Sequence, residues 1–149
     1  MTKKIFFIKF QKKKFFKYDF KFSLNTSAIK CAAEKDNQEV LNLLLSIKGV
    51  KIAKNAFLGC SKLTEIKVPS TVTSFGSNAF KGCTSLTKII IPSSVTLIGD
   101  GTFSDCTSLT QITIPSSVTM IRSNTFSDCT SLTEIEIPSS VTSIGEGSF

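Results

Sequence analysis

The sequence predicts a β-rich solenoid: short parallel strands stacked coil upon coil in 23-residue units, behind a short α-helical N-terminal segment. Three observations lead there. Cysteine recurs at a fixed step, at Cys60, Cys83, Cys106 and Cys129. Proline keeps the same step at Pro69, Pro92, Pro115 and Pro138, and phenylalanine at Phe57, Phe80, Phe103, Phe126 and Phe149. Between these markers one formula repeats, Cys-x-x-Leu-Thr-x-Ile-x-(Ile/Val)-Pro-Ser-x-Val-Thr-x-(Ile/Phe)-Gly.

The apolar spacing explains why such a unit folds only in company. In the second unit Leu86, Ile89 and Ile91 read L-x-x-I-x-I, and the last two alternate onto one face of a short strand. Pro92 has no N–H for a ladder and closes that strand. Val95 and Ile98 are the next inward residues, Gly99 suits a bend, and Phe103 fills the far corner. One coil cannot bury this set, but stacked coils can, each touching only its neighbours. Strands of successive coils then pair in parallel about 4.8 Å apart. Leu63/Leu86/Leu109/Leu132, Ile66/Ile89/Ile112/Ile135 and Val72/Val95/Val118/Val141 become ladders through one core. A fixed period of roughly 20–29 residues is the mark of leucine-rich solenoids.

The formula resembles the BspA-like leucine-rich repeats, a class of surface proteins in some bacteria and of numerous proteins in parasitic protists. The resemblance runs from about Ile52 to Phe149. It implies a parallel-stranded solenoid. As to function it implies only a class, binding to proteins or cell surfaces.

Three segments follow from composition. Residues 1–24 form a basic, Lys/Phe-rich tail, read as disordered. Residues 25–51 form a helical pair, and residues 52–149 a solenoid of about four coils. The formal net charge of +7 belongs to the tail. Residues 1–22 carry eight lysines, between Lys3 and Lys21, and one acid, Asp19. Residues 23–149 carry ten basic and ten acidic residues, so the folded part is neutral and nucleic acid is not an expected partner. The tail interleaves lysine with aromatics and offers a weak means of touching anionic lipid or RNA. Lys9 and Lys12 interrupt the apolar run that a secretory leader needs, and no small-residue cleavage site follows.

In the second segment Ile29, Ala32 and Ala33 share one helical face, as do Val40, Leu43, Leu44 and Ile47. Asn37 suits an N-cap, and Gly49 a C-terminal stop. The pair resembles part of an ankyrin repeat: Ser27–Ala32 stands where T-P-L-H-x-A would, and Glu39–Leu45 resembles the second helix. Ala28 and Lys30 replace the proline and histidine of that motif, so the alternative is an unrelated helical cap. Asn25-Thr26-Ser27 matches a glycosylation sequon, read as accidental without a leader.

Chemistry is mostly excluded. The chain has no histidine, hence none of the usual general base, metal ligand or pH switch. The periodic cysteines are too far apart in sequence for a zinc site and read as small buried thiols, with Cys31 on a helix face. Serine and threonine are plentiful but have no base beside them, and those at Ser93, Ser94 and Thr96 are assigned to turn hydrogen bonding. No cofactor, metal or catalytic residue is expected.

What varies between units is the outward strand positions: Glu65 and Lys67, Lys88 and Ile90, Gln111 and Thr113, Glu134 and Glu136. They are expected to line a concave face. Variation over a constant frame suits a recognition surface for a protein ligand, and equally suits relaxed surface positions. The last coil stops short of a full period without a polar cap, so its edge is expected to invite self-association. The readings in hand are a surface interaction or adhesion module, an intracellular ankyrin/leucine-rich scaffold, and, more weakly, a lipid or nucleic-acid binder. The missing leader argues for the cytoplasm, the family resemblance for the cell surface.

Overall fold

The computed structural model describes residues 32–35, 42, 45 and 51–149. The basic tail and most of the helical pair lie outside the described residues.

The repeat folds as a stack of coils. Strands β1 (Glu65–Lys67), β3 (Lys88–Ile90) and β5 (Gln111–Thr113) form one parallel sheet in the order β1-β3-β5. Its register is the 23-residue step itself: Ile66 stands opposite Ile89, and Ile89 opposite Ile112. Pro92 and Pro115 follow these strands and end them, as a residue without an N–H must.

A second row of strands was not anticipated. Strand β2 (Ser74–Phe75) pairs in parallel with β4 (Leu97–Ile98), and β6 (Met120–Ile121) with β7 (Ser143–Ile144). Ile52 bridges to Phe75 and extends this row to the first coil. Each strand has two residues, too few for alternation to show in sequence.

The core lies between the two rows. Leu63, Leu86 and Leu109 are fully buried, as are Val72, Val95 and Val118. Ile66, Ile89 and Ile112 complete the expected ladders. Along the far corner Phe57, Phe80, Phe103 and Phe126 stack nearly parallel, with centroid separations of 4.9, 5.5 and 5.6 Å. Phe75 meets Phe80 and Phe103 edge-on. Each such contact contributes about 0.5–1.5 kcal/mol beyond the area it buries. The fourth coil is looser: Leu132, Ile135, Ile137 and Val141 are only partly buried, and Ile144 is 54% exposed.

Polar side chains bind coil to coil. Ser94, Ser117 and Ser140 donate through Oγ to the carbonyls of Val72, Val95 and Val118, at 2.6, 2.6 and 2.9 Å. This corrects the assignment of Ser94 to its own turn: the hydroxyl reaches the preceding coil because successive coils bring that carbonyl within reach. Thr71 holds the same place in the first coil and donates to Leu45 O at 3.1 Å. Leu45 is helical and fully buried, and Ala32 and Ala33 are helical and buried in the same core. Leu45 is thereby tied to the first coil, and the core runs on into this helical segment.

The glycine of the formula also has a different role from a bend. Gly76 and Gly99 are not among the positive-φ residues. A Cβ on Gly99 would lie 2.5 Å from Ser77 N, and one on Gly76 2.4 Å from Lys54 N. The glycine lets two backbones approach, which is what its N–H needs to reach the preceding coil. The left-handed positions lie elsewhere in the unit, at Asn55, Asn78, Gly101, Asn124 and Gly147, and at Gly59, Gly82, Asp105 and Asp128. Glycine, asparagine and aspartate are the residues that adopt this conformation at least cost.

Candidate interaction surface

Alternation within β1, β3 and β5 sends every middle residue inward and both neighbours outward. All three strands show the same exposed–buried–exposed pattern. Register then sets the outward residues in two rows. Glu65 stands opposite Lys88, and Lys88 opposite Gln111. Lys67 stands opposite Ile90, and Ile90 opposite Thr113. Ile90 is 64% exposed at the centre of this face, the most exposed of the large apolar side chains among the described residues.

Six of the eight expected face residues are thus brought together on one sheet. Glu134 and Glu136 are exposed, but their segment is not part of the sheet, which ends at β5. Their coil is also the one whose inward residues are only half buried.

The cysteines are structural. Cys60, Cys83, Cys106 and Cys129 are all buried, and none of the four is in a disulfide. The thiols of Cys83, Cys106 and Cys129 donate to the carbonyls of Phe57, Phe80 and Phe103, at 3.2, 3.2 and 3.0 Å. Burial pushes the Cys83 thiol up from its ordinary 9.0 to about 12, with Cys60 adding to the rise. Cys106 is raised further still, first by burial and then by its two cysteine neighbours. Cys129 rises to about 11. Thiols held neutral in this way are poor nucleophiles and poor metal ligands. No group of His, Cys, Asp or Glu suited to a metal ion occurs among the described residues.

A polar groove of about 490 Å³, missed in the sequence, follows the left-handed turns. Asn78, Gly101, Asp105 and Asn124 line it, and Lys81 Nζ pairs there with Asp105 Oδ2 at 3.4 Å. Ser104 and Ser127 donate to Asp105 and Asp128, at 3.0 and 2.9 Å. The legible signal was the 23-residue recurrence of Asn and Gly at positions 55, 78, 101, 124 and 147. No helix among the described residues is long and apolar enough to cross a membrane.

Comparison with known proteins agrees with this architecture. Residues 33–149 match the BspA type leucine rich repeat region in six copies. The match begins inside the stretch that resembles an ankyrin unit and gives that reading no support. No curated protein matches the chain. Among solved structures, the leucine rich repeat protein of T. pallidum is 38% identical over 70% of this chain and 50% of its own, with a TM-score of 0.67. A leucine rich cell surface protein from Faecalibacterium prausnitzii is 33% identical over 68% of this chain and 36% of its own, with a TM-score of 0.48. The chain spans about half the length of the first and less of the second.

Proposed function

The chain belongs to the BspA-type leucine-rich repeat family, and from that membership we propose that it is a non-enzymatic protein-binding module whose partner lies across the exposed face of the β1-β3-β5 sheet. One observation carries the reading. The inward positions of the three strands are isoleucine throughout, Ile66, Ile89 and Ile112, while the outward ones change from coil to coil. The frame is constant and its display is variable. Ile90, with Lys67 and Lys88 beside it, offers an apolar centre rimmed by charge, the pattern from which binding energy is usually drawn. Glu134 and Glu136 extend the proposed surface beyond the sheet.

The finer reading is adhesion or partner binding at a cell surface, supported by the occurrence of this repeat class in surface proteins. Labelling intact cells with a membrane-impermeant reagent tests it. Labelling only after lysis would instead favour the intracellular scaffold.

The face itself is tested by a photo-crosslinking residue at position 90, with position 107 as control. The expected result is one protein adduct from position 90, abolished by Lys67→Glu and Lys88→Glu at unchanged melting temperature. Equal adducts from both positions would refute the assignment of the face.

A further inference from the structure

Among the four coils the glycine of the repeat formula has one exception, and the second row of strands breaks where it stands. The position is held by Gly76, Gly99, Arg122 and Gly145 in the four coils. Each glycine donates its N–H one coil back: Gly76 to Ile52 O at 2.8 Å, Gly99 to Phe75 O at 3.0 Å, and Gly145 to Ile121 O at 2.7 Å. Arg122 makes no such backbone bond to Ile98 O. Three residues earlier, Thr96 donates to Thr73 O at 3.0 Å and Thr142 to Thr119 O at 2.9 Å, whereas Thr119 makes no bond to Thr96 O. Consistently, β2 pairs with β4 and β6 with β7, while β4 and β6 do not pair.

The cause is steric. At each glycine a Cβ would come within about 2.5 Å of the preceding coil's backbone: 2.4 Å at Gly76, 2.5 Å at Gly99 and 2.4 Å at Gly145. Arg122 carries that Cβ, and by the same geometry it meets the Gly99–Asp100 backbone, so the two strands stand off. The Nε of Arg122 is buried there without a hydrogen-bond partner.

The break is one-sided. Across the same junction Lys88 still pairs with Gln111 in the first sheet, and Ser117 still reaches Val95 O at 2.6 Å. The turn side is also closed, with Gly101 bonding Ser123 O and Phe103 bonding Thr125 O, both at 2.9 Å. We infer that Arg122 makes a seam between the second and third coils, open along the second row of strands and hinged on the first sheet and the phenylalanine stack. A junction held on two sides and free on the third bends more readily than one held on all three.

Amide hydrogen exchange of the 149-residue chain, read residue by residue by NMR, tests the seam. In the unaltered protein the amides of Thr119 and Arg122 are expected to exchange at least about tenfold faster than those of Thr96 and Gly99, whose bonds are made. In Arg122→Gly the amide of Thr119 is expected to slow to the rate of Thr96 and the melting temperature to rise. Thr119 as slow as Thr96 in the unaltered protein would overturn the inference, whether or not the variant folds. So would a folded Arg122→Gly in which Thr119 exchanges as fast as before.

Discussion

The thiol of Cys106 donates a hydrogen bond to the carbonyl of Phe80, one coil back, at 3.2 Å. That carbonyl already accepts from Cys83 N at 3.1 Å, so one oxygen ties a turn to itself and to the next coil. A cysteine here is a small core residue and also a donor. Cys106→Ala removes the donor and leaves a small void in a fully buried site. The expected cost is about 1–2 kcal/mol, read from the denaturation midpoint.

Burial orders the reactivity of these thiols. Cys83 and Cys106 are fully buried, while Cys129 is 8% exposed and its thiol is raised least of the three. Native-state thiol titration should therefore modify Cys129 first and leave Cys83 and Cys106 unmodified until the chain unfolds. A stoichiometric disulfide among them would contradict the arrangement.

The same shifts predict a pH dependence. The folded thiols hold their protons above the ordinary value of 9.0, to about 12 at Cys83 and about 11 at Cys129. Above pH 9 the unfolded chain loses thiol protons that the folded chain keeps, so the unfolded state binds fewer protons and stability falls as pH rises. Their contribution is complete below about pH 9 and is lost progressively between about 9 and 12. Urea midpoints at pH 7 and pH 10.5 should differ, and the difference should shrink in Cys106→Ala.

The two sides of one strand should respond very unequally to truncation. Ile112 is 5% exposed and packs between neighbouring coils, so Ile112→Ala is expected to cost about 2–4 kcal/mol. Gln111→Ala and Thr113→Ala, on the exposed face, should each cost under about 0.5 kcal/mol. Thermal or chemical denaturation of the three variants decides it, and equal losses would mean that the faces are misassigned.

The core was legible in the sequence because Leu86, Ile89, Ile91, Val95, Ile98 and Phe103 each recur at a fixed step. Only stacked coils bury such a set. The exposed rows were legible for the same reason, since β3 alternates Lys88, Ile89 and Ile90 across two faces. The second row was not legible because Leu97–Ile98 is two residues long and carries no period. The role of Gly99 was misread as a bend because its constraint comes from Ser77, 22 residues earlier in sequence and adjacent only in the stack. The left-handed sites were obscured because Asn78 and Gly101 are different residues serving one backbone conformation. Ser94 was given to its own turn because its acceptor, Val72 O, belongs to the preceding coil.

The last prediction concerns the apolar end of the stack. In the fourth coil Ile135, Ile137 and Val141 are half buried, Ile144 is 54% exposed and Phe149 60%. Phe149 still stacks on Phe126 at 5.6 Å, tilted by 21° where the inner pairs are within 6°. In a polypeptide that ends at Phe149 this exposed ring can receive another apolar group. A polypeptide of these 149 residues, expressed by itself, should associate as its concentration rises, since an exposed coil edge also presents unpaired N–H and C=O groups. Appending one polar coil after Phe149 should give a monomer with a higher melting temperature. Light scattering over a concentration series compares the two polypeptides. A monodisperse monomer without the added coil would show that this end is stable against water as it stands.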